Sequence, residues 1–189
     1  MHYISYYNSP IGKILLAADE STLTGLWFDG EKYFAHCLEK RHEEKETPLL
    51  HKTKCWLDIY FSGKEPNFSV PLRFNGTAFQ NEVWKILCTI PYGHITTYGE
   101  IAKQIAAKRG IKRMSAQAVG GAVGHNEISI IVPCHRVVGT NGSLTGYAAG
   151  IDKKIKLLTL EKSICPDCFF RIKECRCTVF LQLDKNNAF

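Results

Sequence analysis

The residues before and after position 77 follow different periodicities, and that change limits the chain to at least two dissimilar parts. Upstream, short runs of apolar and aromatic residues alternate with turn signals, which is the pattern of small strands. Residues 2–7, 13–18 and 23–28 are the strand candidates. Asn8, Pro10 and Gly12 punctuate the first gap, and Asp19 to Thr22 form the second. A small antiparallel sheet follows from that order. The charge run over 39–46 reads as a solvated stretch flanked by one or two helices. Residues 49–61 fit a helix stopped at Ser62 and Gly63, and the proline-punctuated stretch 66–75 reads as an extended connector.

Downstream the period becomes helical. Val83, Trp84, Leu87 and Cys88 recur at helix spacing behind Thr77, until Pro91 and Gly93 stop the pattern. Thr97 and Glu100 are spaced as a capping box for a second helix carrying Ile101, Ala102, Ile105 and Ala106. After a basic loop over 108–113, Ser115 caps a third helix over 116–123. Residues 128–132 read as a buried apolar strand ending at Pro133, and 152–162 as a terminal helix. Two helices joined by a short loop form a helix-turn-helix pattern. Nearly every side chain of the third helix is small, and each glycine there costs about 1 kcal/mol relative to alanine. Gly120 and Gly121 fit either close helix packing or close approach of a partner such as DNA.

The chain has 189 residues, 45% hydrophobic and 22% charged, a balance that supports a packed core and argues against disorder. No apolar stretch approaches the roughly 18 residues of a membrane span. The run over 14–18 is too short for a signal-peptide core and has no basic leader. A cytoplasmic protein with no membrane partner is expected. Residues 1–76 hold 9 Lys and Arg against 10 Asp and Glu, whereas residues 77–161 hold 10 against 5. The basic excess therefore lies downstream, where a polyanion partner and a randomly basic surface both fit. Of the eight cysteines, Cys37, Cys55 and Cys88 stand among apolar neighbours and read as reduced core filler.

Cys134 is different. It follows Pro133 and precedes His135 and Arg136, and neighbouring cations can depress a thiol pKa and populate the nucleophilic thiolate. If extended geometry continues past Pro133, Cys134 and His135 point to opposite sides, so a water would bridge them. On these residues alone, a reactive thiol and a buried structural cysteine both remain open.

Pro133-Cys134-His135-Arg136-Val137, with Gly146-Tyr147-Ala148 after it, resembles the active-site signature of the O6-alkylguanine-DNA alkyltransferases, also called methylated-DNA–protein-cysteine methyltransferases. Asn126, Tyr98 and Glu161 match in type and spacing. The likeness is strong over 77–161 and looser over 1–76. It implies an α+β protein: a small antiparallel-sheet, ribonuclease H-like α/β domain over 1–76, then a mostly helical, winged-helix-like domain over 77–161. A cysteine-containing tail fills 162–189.

The resemblance also implies roles. Cys134 would take the alkyl group from O6-alkylguanine in DNA, and from O4-alkylthymine as well, in one irreversible displacement. Glu161 would hold His135, which would accept the Cys134 proton through water. Tyr98 would donate a proton or hydrogen bond to the leaving purine, and Asn126 would tie the recognition helix to the active-site segment. Val137, Tyr147 and Ala148 would contact the flipped base. Ala116, Gln117, Ala118, Gly120, Gly121 and Thr97 would meet double-stranded DNA in the minor groove. The implied protein is a monomer and needs no cofactor.

This sequence departs from the commonest family pattern at three positions. Gln117 stands where many members have arginine, Glu127 where proline often follows the asparagine, and Ala149 where glycine is usual. A non-enzymatic lesion-binding relative and a cysteine hydrolase are the alternatives; the first would lack Cys134, and the second gives no reason for the helix-turn-helix. Cys165, Cys168, Cys175 and Cys177 could together hold zinc or be incidental thiols of the tail.

Overall fold

The computed structural model describes residues 1–164, so the four tail cysteines and any zinc site they form lie outside the described residues. The chain begins with β1 (His2–Ser9), β2 (Gly12–Ala18) and β3 (Leu23–Phe28), joined antiparallel as the alternating pattern predicts. The charge run is exposed throughout, as expected, with turns before it and a helix after it. It contributes β4 (His42–Glu44), which runs parallel to β1, giving the order β3-β2-β1-β4. An exposed three-residue edge strand of His and Glu suits that place, because charge on an edge discourages pairing with another chain.

From Ile14 to Ala18 every β2 side chain is buried, so the sheet is covered on both faces. Ile14, Leu16, Leu26 and Phe28 join the main core. Ile4, Leu15, Ala17 and Trp27 form a second cluster capped by Ala35, Cys37 and Leu38. Trp27 lies across Gly25, where an added Cβ would sit 1.8 Å from the indole; only glycine fits there. Helix α1 (Pro48–Phe61) starts at the Thr47 cap and ends at Ser62, packing on β1 and β2.

The second part is built from α2 (Ala78–Leu87), α3 (Tyr98–Arg109), α4 (Ala116–Gly124) and α5 (Ile151–Leu160). Thr77 and Thr97 both make complete capping boxes, with Gln80 and Glu100 reaching back to the cap N–H. Gly110 ends α3 in the left-handed conformation at φ 63°, a geometry glycine adopts without penalty. Trp84 of α2 donates from Nε1 to the Ala122 carbonyl of α4 at 2.9 Å, fixing the two helices together. A short parallel pair, β5 (Thr96–Thr97) with β6 (Val137–Val138), links the start of α3 to the chain beyond Cys134. Among the described residues no helix is long and apolar enough to cross a membrane.

Two expectations fail here. Residues 128–132 are buried but form turns instead of a strand: Leu26 bonds to the Glu127 carbonyl and the Ser129 N–H, and no ladder continues beyond them. Ile130 takes φ 70°, an uncommon and strained conformation for a β-branched residue. Cys88 is exposed and Cys55 half-buried, and Cys37 only packs on the edge of the second cluster, so none of the three is fully buried core filler. Cys88 caps α2, where the helix face turns outward.

Candidate active site

Pro133 leads into a 3-10 turn over Cys134–Arg136, so the backbone at Cys134 is tightly curled and the extended geometry expected there is absent. Backbone bonds within the turn and one side chain hold the curl. Asn126, buried just beyond α4, donates from Nδ2 to the Val132 carbonyl at 2.9 Å and to the Ile128 carbonyl at 3.3 Å, and its Oδ1 accepts from the Ile128 N–H at 3.1 Å. The same Nδ2 lies 3.0 Å from Cys134 Sγ. Satisfying these turn groups from a side chain replaces the ladder a strand would have supplied.

The thiol is not ionised at rest. Burial pushes Cys134 up to about 12, and the Glu31 charge adds to the rise, while Asn126 and Lys154 oppose it. The expected depression by His135 and Arg136 fails because burial dominates, the His135 ring is uncharged, and Arg136 is engaged by Glu161. Glu161 Oε1 meets His135 Nε2 at 2.8 Å, and Arg136 donates to both carboxylate oxygens at 2.8 and 3.0 Å. Burial alone would raise the Glu161 carboxyl, but His135 and Arg136 override it and hold it at about 2. Glu161 is therefore a buried anion and no part of the helix surface. Burial likewise lowers the His135 pKa, so its ring is neutral at pH 7. With Nε2–H donated to the carboxylate, Nδ1 carries the free lone pair, and that atom is buried without a partner. Such an orphan acceptor is built to receive a proton.

Three residues of this network carried no sequence signal. Tyr60 of α1 donates to Glu161 Oε1 at 2.7 Å, which ties the first part of the chain into the relay. Gly93 offers its N–H to Glu161 Oε2 at 3.4 Å. Lys154 is wholly buried, and its Nζ donates to the carbonyls of Val137 at 2.6 Å and Thr145 at 3.1 Å. That contact ties the residue just after the Cys134 turn to the residue that leads into the Gly146-Tyr147-Ala148 segment. A lysine at the fourth position of a helix gives no hint of such burial. A buried tyrosine in an apolar helix is equally silent.

A pocket of about 220 Å³ opens beside this network, lined by Tyr98, Gly120, Gly124, Tyr147 and Ala148, with Lys32 and Tyr33 at its edge. Tyr98 donates to the Thr145 and Gly146 carbonyls, both at 3.3 Å, and burial followed by the Cys134 charge lifts its pKa to about 12, keeping it a donor. Tyr147 has a buried hydroxyl with no hydrogen-bond partner, and its pKa is raised by burial and by nearby Cys134. Val137 stands apart from the pocket, with its carbonyl committed to Lys154 and its N–H to the Cys134 carbonyl. On α4, Ala116, Gln117, Ala118 and Gly121 are exposed. A Cβ on Gly121 would meet nothing within 4 Å, and one on Gly120 would only touch the Tyr98 ring at 3.8 Å. Internal packing therefore does not require either glycine.

Comparison with known proteins identifies the family. Residues 2–74 match the ribonuclease-like domain, and residues 78–163 the DNA-binding domain, of 6-O-methylguanine DNA methyltransferase. Methylated-DNA–protein-cysteine methyltransferases of Haemophilus influenzae and Methanosarcina mazei are 42% and 46% identical over 161 residues. Each alignment covers 85% of this chain, and 86% and 98% of the respective relative. The crystal structure of Mycobacterium tuberculosis OGT in complex with DNA is similar with a TM-score of 0.73 at 44% identity, over 85% of this chain and 93% of that one. With both parts matched and the identity sustained across most of the chain, this protein belongs to the methylated-DNA–protein-cysteine methyltransferase family.

Proposed function

We propose that the chain repairs alkylated DNA by moving the alkyl group of O6-alkylguanine irreversibly onto Cys134. The observation that carries this assignment is a buried thiol, 3.0 Å from the Asn126 amide, followed in sequence by a histidine that Glu161 holds at 2.8 Å and whose other nitrogen has no partner. Together they form an acid–base pair waiting for a substrate.

In the reaction, the Cys134 proton passes through a water to His135 Nδ1, and the imidazolium formed is stabilised by Glu161. Sulfur then attacks the alkyl carbon. The bond from that carbon to O6 breaks, its electron pair leaves on the purine, and Tyr98 supplies a hydrogen bond or proton to the ring. The products are a thioether and an unmodified guanine. A thioether is a poor leaving group, so each molecule acts once. None of these steps draws on a cofactor.

The lesion must leave the duplex stack, at a cost of a few kcal/mol. The exposed small face of α4 suits close approach to the minor groove, and Gln117 is the side chain there long enough to occupy the emptied place. Tyr147 and Ala148 then form the wall of the base pocket. Lys108 and Arg109 are already engaged with Glu82, at 3.6 and 2.6 Å, which leaves Lys112 and Arg113 as the loop cations for phosphate contact. DNA substrate and free thiols together fit a cytoplasmic protein.

The test is to incubate the full chain with duplex DNA carrying O6-methylguanine and weigh the intact protein. One methyl replacing one hydrogen, mapped to Cys134, is the expected result. DNA retardation with no adduct would make the chain a lesion binder, and ester turnover without DNA would make it a hydrolase.

A further inference from the structure

His36, Cys37 and Glu127 meet where the loop after β3 touches the turn segment that follows α4. We propose that these three side chains form a binding site for a divalent transition metal of the zinc class, with water completing a tetrahedral set. One imidazole nitrogen, one sulfur and one carboxylate oxygen, one from each residue, all lie within 4.8 Å of one another. Contraction of about 1 Å would bring each to the roughly 2.0–2.3 Å bond lengths of zinc.

The orientation of His36 supports this reading. Its Nδ1 lies 3.0 Å from the Tyr33 carbonyl, and a neutral ring donating there presents Nε2 as a bare lone pair. That lone pair faces Glu127 Oε1 at 3.6 Å, so two acceptors point at each other unless a cation or proton lies between them. A backbone carbonyl fixing the far nitrogen is also the usual support for a metal-bound histidine. Glu127 adds a second sign. It is 5% exposed, and its Oε2 is buried with no hydrogen-bond partner. Cys37 Sγ lies beside the same carboxylate, and its thiol is pushed up to about 12 by burial and then by the Glu127 charge. A divalent cation relieves all three conditions: it satisfies the carboxylate, accepts the histidine lone pair, and takes the thiolate after displacement of one proton. Thiolate and carboxylate together neutralise its charge, and a mixed sulfur, nitrogen and oxygen set favours zinc over magnesium or calcium.

The position gives the metal a purpose. Glu127 directly follows Asn126, and its carbonyl accepts from the Leu26 N–H of β3 at 2.9 Å. His36 and Cys37 belong to the loop whose Lys32 N–H donates to the Ala148 carbonyl at the pocket wall. A bound metal would clasp this loop to the segment holding Cys134 in place.

The experiment is a titration of the metal-stripped full chain with Co2+, read by thiolate-to-cobalt absorption and by displacement with Zn2+. One equivalent should bind with sulfur ligation, and should persist when Cys165, Cys168, Cys175 and Cys177 are all replaced by serine. His36→Ala, at an exposed side chain that folding does not need, and Cys37→Ser should each weaken it roughly tenfold or more. Loss of binding with the tail cysteines, retention of sulfur ligation in Cys37→Ser, or no binding at all would overturn the site. None of these readouts depends on alkyl transfer, so failure here leaves the proposed function standing, and the reverse is also true.

Discussion

Asn126 reaches Cys134 Sγ with the same amide nitrogen that donates to the Val132 carbonyl, so one side chain both shapes the reactive turn and contacts the nucleophile. Replacing it by alanine removes three turn contacts and leaves the buried Ile128 N–H without its acceptor, a cost of about 1–3 kcal/mol, while the Val132 and Ile128 carbonyls keep their backbone donors. Asn126→Ala should therefore lower the urea midpoint and slow alkyl transfer together. Asn126→Asp keeps the size but loses the donor toward sulfur, and it should slow transfer more than it destabilises. Equal losses in both variants would reduce Asn126 to a structural residue.

Cys134→Ser should abolish transfer while leaving affinity for alkylated DNA within a few-fold. The hydroxyl is nearly the size of the thiol but a far weaker nucleophile, so binding survives and chemistry does not. Single-turnover assays beside gel retardation separate the two. Residual transfer within tenfold of the parent would sink the assignment of the nucleophile.

Glu161 links the chemistry to pH. Its folded-state pKa, about 2, lies below the ordinary 4.5, so its contribution to stability is present above pH 4.5 and is lost as pH falls toward 2. His135 acts in the same direction. Its folded pKa is lowered from 6.5, so the unfolded chain takes up that proton first and stability begins to decline below about 6.5. Urea midpoints followed from neutral pH to about 3 should fall steadily. Glu161→Gln should be less stable at neutral pH by about 3–5 kcal/mol, because Arg136 is left as an unpaired buried charge, and it should show a shallower acid decline. Transfer per folded molecule should slow without vanishing. Parallel acid curves for parent and variant would contradict the buried anion.

Tyr60→Phe isolates the contact that neither motif nor spacing announces. The ring remains stacked on Trp56 at 5.4 Å, while the hydroxyl that donates to Glu161 Oε1 disappears. A loss of about 1–2 kcal/mol of stability and a modest slowing of transfer are expected. No change in either would mean that His135 and Arg136 alone satisfy the carboxylate.

What the sequence made legible follows from where each feature stores its information. Thr97 with Glu100, Thr77 with Gln80 and the positions behind Ser115 are local, and the helix starts lie where those caps place them. The strands over 13–18 and 23–28 are equally local, because alternation and turn residues define them. Residues 128–132 misled because apolar continuity marks burial, not a ladder, and the partner that holds them is the Asn126 side chain. The charge on Cys134 misled for a similar reason. Adjacent His and Arg predict a lowered thiol pKa only if they are charged, free and solvated; here burial dominates, and Glu161, 27 residues away in sequence, engages both. Tyr60, Lys154 and the meeting of His36 and Cys37 with Glu127 exist only in three dimensions.

Gln117 gives the sharpest test of how the duplex is opened. It lies on the exposed face of α4 among Ala116, Ala118 and Gly121, so it is the longest side chain that face presents. If it fills the place of the extruded base, its amide supplies hydrogen bonds but no charge. The salt dependence of binding must then come from cations such as Lys112 and Arg113, each neutralised phosphate contributing a slope of about −0.9 to log affinity against log salt. Gln117→Ala should slow repair in duplex DNA while leaving that slope nearly unchanged, and Lys112→Ala or Arg113→Ala should flatten it by roughly one unit each. On single-stranded DNA or a free alkylated base no stack needs opening, so Gln117→Ala should act much like the parent. Gln117→Arg should tighten duplex binding and steepen the slope. Equal slowing on single and double strands would instead place Gln117 in folding or chemistry, and α4 would then need another means of holding the duplex open.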